Sequence, residues 1–154
     1  MKLQQGDKAP FFKLFNQKGE EISLLDFDNK KLIIFFYPKD NTPGCTTQAC
    51  DLRDNYDFFA KLGYFLLGVS CDDAATHKKF ILKYDLPFNL LCDIDQKMVK
   101  DYGVWGVKKF MGREYTGLIR TTFIINNKGL IEDVITNVKT KNHSEQILKI
   151  IKNE

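Results

Sequence analysis

Cys45 and Cys50 are the residues of this sequence whose type and spacing are best suited to chemistry. Four residues, Thr-Thr-Gln-Ala, separate them, and Pro43-Gly44 stands directly before the first. A thiol is a nucleophile only as its thiolate, and a helix N-terminus with a cation nearby lowers a thiol pKa below its ordinary value of about 8.5. The spacing therefore predicts a reactive Cys45 if a helix begins there. Taken alone, the pair is equally compatible with two thiols buried in a core.

The segments around Cys45 are expected to form a strand, a loop and a helix. Lys31 to Tyr37 is a continuous apolar run typical of a central strand that is buried on both faces. From Gly44 to about Gly63, apolar residues recur every three or four positions, which predicts a helix with Cys45 in its first turn. Pro43 suits the first helical position, and Thr42 either caps the helix or offers its hydroxyl to a substrate. Open α/β sheets bind ligands just beyond the carboxyl ends of their strands, so Cys45 is expected at such a site.

The distance between the two thiols in a helix has a chemical consequence. In an ideal helix, residues five apart have Cα atoms roughly 8.6 Å from each other and point about 140° apart. A disulfide needs Cα atoms about 4.4 to 6.8 Å apart. If Cys45 and Cys50 ever bridge, the first turn of the helix must therefore unwind. This geometry favours a cysteine chemistry with two conformational states over a pre-aligned dithiol carrier.

The rest of the chain predicts an α/β protein. Strands alternate with helical segments, and a hairpin and a last helix follow, which indicates a three-layer α/β sandwich in a single domain, residues 1–154. Residues 103–117 are expected to form an irregular connection. The other expected segments are an N-terminal hairpin (11–15 and 20–24), strands at 64–70, 89–92, 121–125 and 130–136, and helices from an N-cap at 72–73 to residue 84, at 95–102 and at 143–152.

Composition and charge exclude several classes of protein. The chain has 154 residues with ordinary globular fractions of hydrophobic (44%) and charged (28%) residues. Its 23 basic and 20 acidic residues leave a net charge of +3, too small and too scattered for a dedicated nucleic-acid binder. The longest apolar run, Leu32 to Tyr37, is too short for a membrane span, and the first ten residues lack the apolar core of an export signal. We therefore expect no nucleic-acid or membrane partner and a location in the reducing cytoplasm.

A metal centre is not expected. The chain contains no C-x-x-C motif and only two histidines, His77 and His143, so a tetrahedral zinc site has no support in the sequence. We interpret His77 as a packing residue on an apolar helix face. His143 is interpreted as a surface or helix-start residue without a functional role.

The sequence around Cys45 resembles a known family. Pro38-Lys-Asp-Asn-Thr42-Pro-Gly-Cys45 matches the peroxiredoxin motif P-x-x-x-[TS]-x-x-C, and a second cysteine five residues later is similar to the bacterioferritin comigratory protein (BCP, or PrxQ) subfamily. The resemblance extends over essentially the whole chain. It continues through Leu52-Arg53-Asp54, Gly103-Val-Trp105-Gly, Lys109-Phe-Met-Gly-Arg113, Arg120-Thr-Thr-Phe-Ile and Lys139-Thr-Lys-Asn-His143.

The resemblance implies a thioredoxin-like fold, with a central mixed sheet flanked by helices, and a role in antioxidant defence. The implied reaction is the reduction of hydrogen peroxide and alkyl hydroperoxides. Cys45 would be the peroxidatic cysteine that becomes a sulfenic acid, and Cys50 would resolve it as an intramolecular disulfide. Thr42 would hydrogen-bond the thiolate or the peroxide, Pro38 would shield the cysteine from water, and Arg120 would stabilise the thiolate and polarise the O–O bond.

The resemblance also bears on partners and cofactors. It implies recycling by thioredoxin or a similar dithiol, and no metal, flavin or haem cofactor. Relatives of this type are often monomeric, so a monomer is favoured over a dimer. Cys71 and Cys92 end two predicted strands and are interpreted as core residues, with a role as alternative resolving thiols left open.

Two rival functions are also compatible with the sequence. A thioredoxin-like disulfide carrier is one, although it would be expected to have a C-x-x-C motif. The other is a binding or chaperone protein that uses the same fold without redox turnover. Trp105 and Phe110 either line a substrate entrance or pack the 103–117 connection.

Overall fold

The computed structural model describes residues 2–152 and contains a five-stranded mixed sheet in the order β5-β4-β3-β8-β9. The strands are β1 (Lys13–Phe15), β2 (Glu21–Ser23), β3 (Lys31–Phe36), β4 (Tyr64–Ser70), β5 (Asn89–Cys92), β6 (Trp105–Phe110), β7 (Arg113–Leu118), β8 (Thr121–Ile125) and β9 (Ile131–Ile135). The helices are α1 (Pro43–Asp54), α2 (Tyr56–Lys61), α3 (Ala74–Tyr84), α4 (Lys97–Asp101) and α5 (His143–Lys152). The predicted α/β class is confirmed.

β3 lies at the centre of the sheet because nearly all of its side chains are apolar. All of its residues after Lys31 are buried, which suits a strand covered on both faces. β4 runs parallel to β3 on one side, and β8 runs antiparallel to it on the other. The register pairs Phe36, at the carboxyl end of β3, with Thr121, at the start of β8. The residue just before β8 is therefore brought to the edge of the sheet where the chain leaves β3.

Two layers cover the sheet, and alternate residues of β3 enter each of them. Ile33 and Phe35 pack in a core that includes apolar residues of α1, α2, α3 and α5. Ile34 and Phe36 pack in a second core with Met98 of α4 and residues near the N-terminus. The predicted N-terminal hairpin is confirmed as the antiparallel pair of β1 and β2.

The prediction of one continuous helix over 44–63 is wrong, because the structure has two helices there. α1 ends at Asp54, and α2 begins at Tyr56 after Asn55, whose backbone leaves the helical conformation. The Asn55 side chain donates a hydrogen bond to the carbonyl of Asp51, 2.9 Å away. Asparagine competes for backbone groups in this way and so favours helix ends over helix interiors. The predicted apolar stripe continues in α2, which buries Phe59.

The prediction of an irregular connection over 103–117 is also wrong. β6 and β7 form a regular antiparallel ribbon, and Met111 and Gly112 make a two-residue turn with φ angles of 52° and 79°. Positive φ at both central residues is typical of the tight turn that matches the twist of a hairpin. The sequence did not predict this ribbon because most of its residues are exposed, so apolar and polar residues do not alternate along the two strands.

Among residues 2–152, no helix combines the length and the apolar character needed to cross a membrane.

Candidate active site

Cys45 lies in the first turn of α1, as the sequence predicts. Pro43 is the first residue of the helix, and the helix follows the loop that leaves the carboxyl end of β3. The backbone N–H of Thr46 donates to the carbonyl of Thr42 at 2.8 Å, which joins the loop to the helix. Only 2% of Cys45 is exposed. The thiol is therefore held at the edge of the sheet where open α/β proteins bind ligands.

Arg120 brings a positive charge to Cys45. It stands immediately before β8, and the register of β3 and β8 places it beside the start of α1. Its Nη2 donates to the Sγ of Cys45 at 3.4 Å. A Cβ atom on Gly44 would lie 3.3 Å from Nη2, so the glycine leaves room for the guanidinium. A cation at this distance stabilises negative charge on sulfur and on an oxygen that reacts there.

Gln48 belongs to the same cluster, although neither the motif nor the family resemblance pointed to it. Its Oε1 accepts a hydrogen bond of 2.6 Å from Nη1 of Arg120, and the side chain is fully buried. Within residues 2–152, the Nε2 of Gln48 has no hydrogen-bond partner. Its position three residues after Cys45 is the signal that would have found it, because residues three apart share a helix face.

Thr42 and Pro38 lie in the loop between β3 and α1. Thr42 is the N-cap residue by position, but its side chain makes no capping bond. Its Oγ1 instead donates to the carbonyl of Lys39 at 2.9 Å, so the first of the two alternatives for Thr42, a side-chain cap, is wrong. Pro38 directly follows the buried Tyr37 and is itself half-buried. Both residues therefore lie on the short loop that leads directly into α1, the helix that carries Cys45.

Cys50 lies further along α1 and is half-buried. α1 is helical from Pro43 to Asp54, so the geometry of an ideal helix applies to the pair and separates the Cα atoms of Cys45 and Cys50 by roughly 8.6 Å. All four cysteines are free. A bridge between the two therefore requires α1 to lose at least one turn.

Polar contacts from two other helices hold the Cys50 end of α1. At the start of α5, the backbone N–H of Ser144 donates to Oδ2 of Asp51 at 2.7 Å, and the Ser144 hydroxyl donates to the Asp51 carbonyl at 3.1 Å. At the end of α3, the carbonyl of Tyr84 accepts a 2.7 Å bond from Nη1 of Arg53. These contacts resist any movement of this part of the helix.

Cys71 and Cys92 are poorly placed as nucleophiles. Burial, together with the charge of nearby Asp93, raises the pKa of Cys71 to about 11, which disfavours its thiolate at neutral pH. Cys92 is buried, and its Sγ contacts the carbonyl oxygen of Asn16 at 3.8 Å. The core interpretation holds for Cys92, whereas Cys71 is only half-buried.

Both histidines are buried. His143 is the first residue of α5, so its interpretation as a helix-start residue is confirmed. The alternative that it lies on the surface is wrong, because the side chain is fully buried. Its Nε2 lies 2.7 Å from Thr122 Oγ1, and its Nδ1 lies 2.9 Å from Gln146 Oε1. Burial lowers the pKa of His143. His77 is buried on α3, as predicted, but it also pairs with Asp40.

One group among residues 2–152 has the residue types of a metal site. The potential ligand atoms of Asp40, Asp72 and His77 lie within 4.8 Å of one another. Both ring nitrogens of His77 are already engaged, Nδ1 with Asp40 and Nε2 with the carbonyl of Leu91. In this structure His77 and Asp40 therefore form a hydrogen-bonded ion pair.

Comparison with known proteins shows the family of the chain. The AhpC/TSA family model matches residues 5–134. The chain is 45% identical to peroxiredoxin Bcp of Escherichia coli K12 over 150 residues, which are 97% of this chain and 96% of that protein.

Two solved structures extend the similarity to the fold. A variant of PrxQ from Xylella fastidiosa has a TM-score of 0.92 and 29% identity, with 99% of this chain and 98% of that chain covered. The bacterioferritin comigratory protein of Xanthomonas campestris, whose structures were determined to explain its alkyl peroxide reduction activity, has a TM-score of 0.86 and 31% identity over 92% of this chain and 90% of that chain.

The thioredoxin-like fold of these neighbours is the one found here. The chain therefore belongs to the AhpC/TSA family and, within it, to the BCP (PrxQ) peroxiredoxins, which are thiol-dependent peroxidases.

Proposed function

We propose that Cys45 is the cysteine that reduces the peroxide. The observation that carries this proposal is the guanidinium of Arg120, whose Nη2 lies 3.4 Å from Sγ at the N-terminal turn of α1. The thiolate sulfur attacks one peroxide oxygen, an S–O bond forms and the O–O bond breaks. The departing oxygen leaves as hydroxide or alkoxide and takes a proton to become water or an alcohol. The cation and the helix N-terminus stabilise the negative charge that develops on that oxygen.

Thr42 and Pro38 complete the proposed site. The hydroxyl of Thr42 orients the thiolate or the peroxide, and Pro38 limits the access of water to the sulfur. Their position on the loop that leads into α1 supports these roles. The Thr42 hydroxyl donates its proton to the carbonyl of Lys39, and its oxygen can still accept a hydrogen bond from the peroxide.

Cys50 then resolves the sulfenic acid. Its thiolate attacks the sulfur of Cys45, an S–S bond forms and the S–O bond of the sulfenic acid breaks, and the departing hydroxide takes up a proton to become water. α1 must unwind for this step, since the helix holds the two residues too far apart. A dithiol reductant, which we take to be thioredoxin or a similar protein, reduces the disulfide and returns both thiols.

The remaining features of the proposal follow from the same chemistry. The substrates are hydrogen peroxide and alkyl hydroperoxides, in line with the activity studied for the Xanthomonas campestris relative. We place the reaction in the cytoplasm, where a dithiol reductant keeps the cysteines reduced. The working unit is a monomer with one domain over residues 1–154, of which Met1, Asn153 and Glu154 lie outside the described residues.

The variant Cys45→Ser tests the proposal. We expect it to lose peroxide consumption while it keeps the melting temperature of the unmodified chain, because serine is of similar size. Cys71→Ser is the matched control, and it should consume peroxide at the normal rate, since the raised pKa of Cys71 disfavours its thiolate. Near-normal turnover by Cys45→Ser would overturn the proposal. Reduction of a disulfide substrate without any peroxide consumption would instead indicate a disulfide carrier.

A further inference from the structure

A buried ion pair lies beside the loop that precedes Cys45. The Nδ1 of His77 is 2.6 Å from Oδ2 of Asp40, and neither side chain has exposed surface. On the other side of the ring, Nε2 is 2.8 Å from the carbonyl oxygen of Leu91. A carbonyl oxygen only accepts hydrogen bonds, and so does an ionised carboxylate, so both ring nitrogens of His77 carry protons. The side chain is therefore an imidazolium.

The surroundings of His77 favour this charged form. Burial by itself lowers the pKa of His77, but the hydrogen bonds with Asp40 and Cys92 and the charge of Asp40 outweigh it and raise the pKa to about 10. The carboxylate of Asp72 lies in the same cluster. At neutral pH the buried Asp40 carboxylate therefore has a counter-charge.

Asp40 is also fixed from other directions. The hydroxyl of Tyr37 donates to its Oδ1 at 2.6 Å, and its backbone N–H donates to Oδ2 of Asp72 at 2.9 Å. Asp72 is held in turn by the hydroxyl of Ser70, at the end of β4, at 2.6 Å. Asp40 thus ties the middle of the loop to both α3 and β4.

We propose that His77 and Asp40 are positioning residues for the reaction with peroxide, because their ion pair fixes the loop 37–42 on α3 and thereby fixes Pro38 and Thr42 relative to Cys45. The inference rests on the proposed role of Cys45. Asp40 stands two residues after Pro38 and two before Thr42, so a displacement of Asp40 moves both. A misplacement of about 1 Å can slow a reaction by about 100-fold.

A ratio of two rate constants separates positioning from a merely structural role. The first is the rate of sulfenic acid formation at Cys45 with hydrogen peroxide, followed by stopped flow. The second is the rate of Cys45 alkylation by iodoacetamide, located by mass spectrometry, which needs the thiolate but not the geometry for O–O cleavage. In His77→Gln, which keeps an N–H donor but removes the charge, we expect the ratio to fall by about tenfold.

His143→Gln is the matched control. It replaces the other buried histidine, which contacts Thr122 and Gln146 and is not part of the loop. We expect it to lower the melting temperature and to leave the ratio within about twofold of that of the unmodified chain.

Two milder variants apply if His77→Gln does not fold. Tyr37→Phe removes only the hydroxyl that donates to Asp40 and keeps the ring packing, and Asp40→Asn keeps the shape of the side chain. We expect each to lower the ratio by about threefold or more. An unchanged ratio in the folded variants, even with a lower melting temperature, would overturn the positioning role. The absence of a sulfenic acid at Cys45 in the unmodified chain would instead overturn the proposed function.

Discussion

At its Cys45 end, α1 packs against the edge of the sheet, and at its Cys50 end it is held by two other helices. Cys45 is buried beside a guanidinium that also bonds Gln48, one turn further along the helix. Cys50 is half-buried. Next to it, Asp51 accepts hydrogen bonds from Ser144 at the start of α5, and Arg53 donates one to the carbonyl of Tyr84 at the end of α3. The Cys45 end provides fixed charges, whereas the Cys50 end is held by polar contacts to other helices and by the buried Ala49 and Leu52.

This difference matches the two steps of the proposed reaction. Attack on a peroxide needs a fixed thiolate and fixed positive charge, because groups that are already oriented cost no reorganisation in the transition state. Resolution needs the opposite property, since α1 must lose helical hydrogen bonds before Cys50 can reach Cys45. A helix rigid at both ends would slow the second step, and a helix loose at both ends would slow the first.

The largest effect is expected at the guanidinium. Arg120→Gln should lower the rate constant of Cys45 oxidation by peroxide by about 100- to 1000-fold, because it removes the charge that stabilises the leaving oxygen. Stopped-flow oxidation under single-turnover conditions measures this. Arg113→Gln, which alters an exposed arginine of β7, is the control and should react normally. A loss smaller than about tenfold in Arg120→Gln would show that the charge at this end is dispensable.

A smaller effect is expected at Gln48. Gln48→Met keeps the length of the side chain but removes the oxygen that accepts the 2.6 Å bond from Arg120. The guanidinium then loses one of its two described bonds, and we expect the oxidation rate constant to fall by about tenfold. The same stopped-flow assay, with a thermal melt as the control for folding, checks this. A normal rate in a folded variant would contradict the assignment of Gln48 to the fixed end of the helix.

The smallest effect is expected at the Cys50 end, where a substitution should make a reaction step faster instead of slower. Asp51→Ala removes the acceptor of the Ser144 N–H, so we expect the free energy of unfolding to fall by about 1 kcal/mol. Because α1 is then freer to open, disulfide formation after the first oxidation should become roughly fivefold faster.

Asp57→Ala is the control for that change, because Asp57 is an exposed acidic residue of α2 and, within residues 2–152, its side chain makes none of the contacts that hold α1. It should leave the rate of disulfide formation unchanged. Slower disulfide formation in Asp51→Ala would mean that α5 assists the opening of α1 instead of resisting it.

Much of the sheet could be predicted from the sequence because its strands are apolar and bounded by polar turns. The predicted limits of β4, β5 and β8 and of α5 coincide with those found. The β6–β7 ribbon was missed because its exposed strands carry charged residues on both faces. The end of α1 was missed because a side-chain bond from Asn55, and not the apolar pattern, ends the helix.

The candidate site was only partly predictable for a related reason. The motif identified Cys45, Thr42 and Pro38, which are close in the chain, and the family resemblance added Arg120. The contact of Arg120 with Gln48, and that of His77 with Asp40, join segments far apart in sequence. Only the fold brings such segments together, so the spacing of residues could not reveal these contacts.

Mapping the bonds formed by one equivalent of peroxide tests the central claim most directly. Mass spectrometry of the treated chain should find an intramolecular bridge between Cys45 and Cys50, and in Cys50→Ser it should find a sulfenic acid on Cys45. A bridge that contains Cys71 or Cys92, or a sulfenic acid on any residue other than Cys45, would contradict the account.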